Sequence, residues 1–169
     1  MYRLKSVLAK KVKDLDGKKL GDVADILVDF EKKIVVGFKL SRLSVSKKKK
    51  YILISDVIAF GQEIIARNSI CGEYLSFSEI KYLDIIDVEG SILGVLEDLI
   101  IEEETMEIKG LIVSSGFINS LLYGKKILSP HKVIIGNEYI LLTESMGSTK
   151  FISKAHLLKG ENQNDKHKG

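Results

Sequence analysis

The sequence predicts an all-β fold built from two small barrels in tandem, each a duplicated unit of five to six short strands with short helical turns. Three observations carry that reading. One unit is spelled twice along 169 residues. Within it, tight-turn dipeptides alternate with short runs rich in Ile, Leu and Val, the pattern of strands joined by hairpins. Tryptophan is absent and only 7% of residues are aromatic, so aliphatic and β-branched side chains must supply the core.

The unit is "DGKKLGDVADILVDFEKKIVVGFKLS", Asp16 to Ser41, and it returns as "EGSILGVLEDLIIEEETMEIKGLIVSS" from Glu89. The two align without a gap at an offset of 73, with Gly17/Gly90, Leu20/Leu93, Gly21/Gly94, Asp25/Asp98, Glu31/Glu104, Gly37/Gly110 and Ser41/Ser114 identical. A period this long, occurring twice, indicates a duplicated small domain, because solenoid repeats run at 20–50 residues.

Taken in order, the Asp-Gly and Glu-Gly dipeptides place glycine where a turn needs positive φ. A strand over 22–30 follows, with Ala24, Ile26, Val28 and Phe30 expected on one face and Asp25 and Asp29 on the other. "FEKK" turns the chain into a second strand, expected to bury Ile34, Val36, Phe38 and Leu40. Gly37 falls mid-strand, where glycine marks a bulge or a close backbone approach. "YILISDVIAFGQEII" then matches "KILSPHKVIIGNEYIL" once the second copy takes two extra loop residues, which pairs Gly61 with Gly136. The expected organisation is a first barrel over 1–72, a second over 73–147, a docking segment over 148–159 and a disordered polar tail over 160–169. Each copy is small for independent stability, so the two are expected to pack on each other.

These residues resemble the PRC-barrel family. Its unit has a D-G-x-x-L-G turn, a strand with an internal Asp, a glycine-bearing second strand and a late glycine before the last strand. Copy one supplies Asp16, Gly17, Leu20, Gly21, Asp25, Gly37 and Gly61; copy two supplies Glu89, Gly90, Leu93, Gly94, Asp98, Gly110 and Gly136. The resemblance covers about residues 3–68 and 78–144. It implies a tandem pair of PRC-barrels. Such barrels contact other proteins in the cytoplasmic part of the photosynthetic reaction-centre H subunit and in a ribosome-maturation factor, so it implies binding rather than catalysis.

Composition excludes several classes. Cys71 is alone, so a disulfide framework or CxxC centre is not expected. No apolar run approaches 18 residues, and "MYRLKSVLAKKV" is too interrupted by lysine for a signal peptide. A cytoplasmic protein is expected, and the Lys- and Ile-rich, Pro-poor composition suits an AT-rich bacterial genome. Residues 1–72 hold 16 Lys/Arg against 8 Asp/Glu, and residues 73–169 hold 10 against 15. This split predicts that the halves attract each other, within the chain or in a homodimer, or that the basic half faces an acidic partner.

Little in the chain points to chemistry. Gly17-x-x-x-Gly21 lacks the Gly-Lys-Ser/Thr and following helix of a phosphate loop. "DLDG" at 14–17 lacks the distal ligands of a calcium loop. Asp25 and Asp98 recur in both copies, which favours backbone hydrogen bonding over service as a general base. His131, His156 and His167 are scattered, and no serine or cysteine sits in a nucleophile motif. No catalytic, cofactor-binding or metal-binding residue is expected, and the chain is not expected to be an enzyme.

The loops are where the copies differ. Lys47, Lys48, Lys49 and Lys50 form a basic tip suited to phosphate. At the matching place, "GFINSLLYGKKI" carries Phe117, Ile118, Leu121, Leu122 and Tyr123, either as core between the copies or as a patch that docks a partner. Glu102, Glu103, Glu104 and Glu107 read as a solvated turn. The function expected is a non-enzymatic protein-binding or assembly module; the alternative is an RNA- or ribosome-associated factor using the basic half.

Overall fold

The computed structural model describes residues 2–3, 6–41, 50–116, 126–145 and 147–149. A short strand, β1 (Tyr2–Arg3), opens the chain. Then come β2 (Lys11–Lys13), β3 (Lys19–Asp29), β4 (Ile34–Leu40), β5 (Tyr51–Leu53), β6 (Val57–Phe60) and β7 (Ile64–Ala66). These six form one sheet in the order β5-β4-β3-β2-β7-β6. Its two edges, β5 and β6, are consecutive in the chain and separated only by the 3₁₀ turn Ile54–Asp56. A sheet whose outermost strands are tied that closely must curl on itself, which makes it a barrel. After the helical turn α1 (Phe77–Ile80), the design repeats with β8 (Asp84–Ile86), β9 (Ile92–Ile101), β10 (Ile108–Ser114), β11 (Lys126–Leu128), β12 (Val133–Ile135) and β13 (Tyr139–Leu142), ordered β11-β10-β9-β8-β13-β12. Here the turn Pro130–Lys132 joins the edges. Neighbours pair antiparallel except β2–β7 and β8–β13, which are parallel.

Bulges change which residues face the core. Between β3 and β4 the register jumps from Val23↔Leu40 to Asp25↔Lys39, leaving Ala24 unpaired and exposed. A second jump, between Leu27↔Gly37 and Val28↔Val35, leaves out Val36. Each extra residue flips the alternation. The buried inward row is therefore Val23, Ile26 and Val28 facing Val35, Phe38 and Leu40, and the expected burial of Ala24 and Val36 on that face is corrected. Copy two repeats both bulges, at Glu97 and Lys109.

The copies are related by an approximate two-fold axis through their main hairpins. Ile34 bridges Glu107, its own counterpart. On either side Val35 N–H donates to Met106 O (2.8 Å) and Ile108 N–H donates to Lys33 O (2.7 Å), a reciprocal pair. The short segments that pair with the ends of β3 and β9 are exchanged between the copies in the same way. Tyr2 and Arg3 pair with Ile101 and Ile100 of the second sheet. Leu75 and Ser76, at the matching place of copy two, lie on the first sheet: Val28 N–H donates to Leu75 O (3.0 Å) and Ser76 bridges Leu27. One continuous apolar cluster runs from Val12, Ile26 and Ile64 through Phe77 to Ile85, Leu99 and Leu128. The halves are therefore joined by backbone pairing and shared core. The ion pairs Lys13–Glu63, Lys19–Asp22, Lys32–Asp29, Lys109–Glu107 and Lys132–Glu144 each lie within one copy.

Candidate functional site

The residues that recur in both copies work on the backbone. Asp14 Oδ1 accepts from the N–H groups of Asp16 (3.1 Å) and Lys18 (2.8 Å), and Asp87 Oδ1 accepts from Glu89 (3.0 Å) and Ser91 (2.8 Å). These turns hold Gly17 and Gly90 at φ of 80° and 84°, where a side chain would be strained. Asp25 is buried on the outer side of β3 beneath α1; it accepts from Ile26 N–H (2.8 Å) and from Ser78 N–H in the first turn of α1 (3.0 Å). Asp98 accepts from Leu99 N–H (2.9 Å) in the same way. A Cβ on Gly37 would stand 2.3 Å from Ile52 O, and one on Gly94 2.3 Å from Ser114 O. Gly21, Gly61, Gly110 and Gly136 occupy the corresponding turns and strands.

The outer faces of the two sheets are the places where the chemistry differs. Paired residues on neighbouring strands point to the same side of a sheet. In copy two, Ile92 pairs with Ile86, Ile86 with Leu141, and Leu141 with Ile134, giving an aliphatic row across β9, β8, β13 and β12. Ile92 and Ile134, at its ends, are 62% and 58% exposed. Tyr139, beside it, and Val88, at the turn before β9, are also exposed. In copy one the same four strand positions are Lys19, Lys13, Ile65 and Ala59. Lys13 pairs with Glu63 and Lys19 with Asp22, each at 2.7 Å. The Lys13 ammonium holds the Glu63 carboxyl below its ordinary range.

A cleft of about 570 Å³ opens where the copies meet. It is bounded by the end of β3 and its turn (Val28 to Glu31), by Leu75 with Glu79 and Ile80 of α1, and by the β12–β13 turn at Ile135, Gly136 and Asn137. Apolar Val28, Phe30, Leu75, Ile80 and Ile135 share its lining with the carboxylates of Asp29, Glu31 and Glu79. The Glu79 carboxylate accepts from Ser76 N–H (2.6 Å), closing the capping box of α1. Asp29 accepts from Lys32 N–H (2.9 Å), the main reason its carboxyl lies below the ordinary value, with the Lys32 ammonium 3.2 Å away adding to it.

The family model of the PRC-barrel domain matches this chain twice, over residues 1–68 and 72–147. The chain belongs to the PRC-barrel family. No curated protein matches it. The two matches correspond to the two curled sheets, so the fold is a tandem of PRC-barrels, mostly β with few helical turns.

Several residues singled out in the sequence lie outside the described part of the PRC-barrel pair: Lys47, Lys48 and Lys49, the stretch Phe117, Ile118, Leu121, Leu122 and Tyr123, and His156, His167 and the segments from 150 onward. Lys50 is described and exposed. His131 sits exposed in the turn before β12, its N–H donating to Ser129 Oγ (3.3 Å). Among the described residues no group of three or more His, Cys, Asp or Glu is placed to hold a metal ion, and no helix is long and apolar enough to cross a membrane. Sequence reasoning missed the aliphatic row and the Asp14/Asp87 turn. The turn had a legible signal, since "DLDG" and "DVEG" fall at the same place in the two copies. The row had none, because it joins two strand pairs, β8–β9 and β12–β13, that lie far apart in sequence.

Proposed function

We propose that this tandem PRC-barrel is a non-enzymatic binding and assembly module that docks another protein on the outer face of its second barrel. The observation that carries the reading is the aliphatic row Ile92–Ile86–Leu141–Ile134 with Tyr139 beside it, where copy one has ion-paired lysines at the first two positions, Lys19 and Lys13. Apolar side chains aligned on one exposed face gain free energy when a partner removes them from water, about 25 cal/mol per Å² covered. Scattered exposed aliphatics would carry no such argument, but a contiguous row does. The partner is a protein that presents an apolar surface of its own. The RNA reading has less behind it among the described residues, because Lys13, Lys19 and Lys32 of the basic half are engaged with carboxylates of the same copy.

The test places a photo-crosslinking side chain at Ile134 in one version of the full chain and at Ala59, its counterpart, in another. The expected result is a discrete protein adduct from position 134 alone. It should disappear in the variant carrying Ile92→Lys and Leu141→Lys while the melting temperature stays within a few degrees. A second copy of the chain as the adduct would make the module a homodimer. Identical adducts from both faces, or adducts abolished by ribonuclease, would overturn the reading.

A further inference from the structure

The aliphatic row of the second barrel is bordered by negative charge. Residues two apart on a strand share a face, so Asp84 lies on the side of Ile86 and Tyr139 on the side of Leu141. Asp84 and Tyr139 pair with each other beside the row. Asp84 is exposed, as are Glu89 in the turn before β9 and Glu138 in the turn before β13. At the place of Asp84 copy one has Lys11, also exposed. The same contrast holds over the whole barrels: residues 1–72 hold 16 Lys/Arg against 8 Asp/Glu, and residues 73–149 hold 5 against 13. A basic amphipathic segment is therefore drawn to the outer face of the second barrel and repelled from that of the first.

The chain carries such a segment directly after its last described residue. "KFISKAHLLK", residues 150–159, has three lysines and no acidic side chain. Phe151, Ile152, Ala155 and Leu158 follow the spacing of one helix face, Lys154 borders that stripe and Lys159 ends it. Thr149 before it and Gly160 after it are residue types that start and stop helices. A helix of this length is about 15 Å long. Four strands spaced by about 4.8 Å put the ends of the aliphatic row about 14 Å apart, so the two match. The starting point also fits. Past β13, which carries Leu141, Ser148 N–H and Thr149 Oγ1 both donate to Ser145 O, and Thr149 is only 8% exposed. The segment therefore begins at the protein surface close to that strand.

We propose that residues 150–159 dock as a helix on the aliphatic row of the same chain, apolar stripe inward, with their lysines toward Asp84, Glu89 and Glu138. This rests on the reading of the row as a docking face and adds its regulation: the segment is a tethered competitor of the partner. A tether this short presents it at an effective concentration on the order of millimolar. A partner then binds only as far as it displaces the segment.

The test attaches a nitroxide spin label to the ¹⁵N-labelled full chain at Ser153→Cys, off the apolar stripe, with the exposed Cys71 changed to Ser. Paramagnetic broadening is expected at the amides of Ile86, Ile92, Ile134 and Leu141 and not at Lys13 or Lys19. It should be lost when Phe151→Ser and Leu158→Ser are added, changes outside both barrels that leave their folding intact. Asp84→Lys, at an exposed position, should reduce it. Broadening that is absent, equal on the two barrels, or unchanged in either variant would overturn the proposal. So would broadening that arises only between chains, seen by mixing ¹⁵N chain without label and labelled chain without ¹⁵N, because the occupant would then be a second copy. With the cover removed by Phe151→Ser and Leu158→Ser, the yield of partner adduct from position 134 should rise several-fold, and an unchanged yield would overturn the competition. The broadening needs no partner, so failure of the crosslink overturns the docking reading and leaves the self-docked segment standing.

Discussion

The first and second barrels agree in backbone detail and disagree in what they show to solvent. Both place bulges at the same positions, Ala24 with Val36 and Glu97 with Lys109. Both hold non-glycine residues at positive φ at matching places, Ala9 with Tyr82 and Lys33 with Met106, although the residue types differ. Yet the outer row of one carries two ion-paired lysines where that of the other is aliphatic throughout. The comparison teaches that the fold is written in a sparse set of residues acting on the main chain. The rest of the surface is free to change its chemistry without disturbing them.

The glycines give the largest test of that statement, because the two copies crowd them unequally. A methyl on Gly37 would meet a carbonyl oxygen, Ile52 O, at 2.3 Å, whereas on Gly110 it would meet a side-chain methyl, Ile127 Cγ2, at 2.8 Å. Gly37→Ala is expected to cost about 3 kcal/mol and Gly110→Ala about 2 kcal/mol, since the second overlap is smaller and a side chain shifts more readily than a paired backbone. The order reverses at the other pair. Gly94→Ala drives a methyl to 2.3 Å from Ser114 O at a φ of 144°, while at Gly21 the nearest atoms are 3.1 Å away. Urea denaturation of the four variants checks this, and equal losses at all four would break the comparison.

A smaller effect is expected at Asp25. Asp25→Ala leaves the N–H groups of Ile26 and Ser78 without their carboxylate acceptor, at a cost of about 2 kcal/mol. Lys19→Ala, which removes only a half-exposed ion pair on the charged outer face, should cost less than about 0.5 kcal/mol. Hydrogen exchange at Ser78 distinguishes loss of the α1 anchor from general destabilisation.

The smallest effect is pH-dependent. Because Lys32 N–H holds the folded Asp29 carboxyl below its ordinary value of 3.8, its contribution is fully present above that value. It is lost as pH falls through the lowered folded pKa. Asp29→Asn should therefore flatten the acid limb of stability, by under about 1 kcal/mol given the exposure of the turn, and leave the ordering of the other variants unchanged. A chemical-shift titration of the Asp29 carboxyl carbon, showing a midpoint at or above 3.8, would remove the basis of this expectation.

The duplication, the strands and the PRC-barrel match were legible because repeated glycines, aspartates and turn dipeptides sit close together in sequence. The bulges were not. Nothing in "DVADIL" marks Ala24 as the residue left unpaired, since alanine fits either face and the register is set by the partner strand. The stretch between the two copies also does more than local pattern announces. Ile70 pairs with Tyr51, Leu75 and Ser76 pair with β3, and Phe77 and Ile80 enter the core. These are long-range contacts, and local pattern carries no information about them.

The exchanged edges have a consequence for how the protein behaves in the cell and in the tube. Residues 2–3 complete the second barrel and residues 75–76 complete the first, so each half finishes the other. Two separate polypeptides built this way would meet by collision, at a rate set by how much of each was present. Tethered in one chain, they meet by an intramolecular step whose equilibrium does not depend on amount. Dilution therefore cannot pull the pair apart, and the aliphatic face of one barrel and the charged face of the other arrive together, in a fixed one-to-one ratio, on every molecule made.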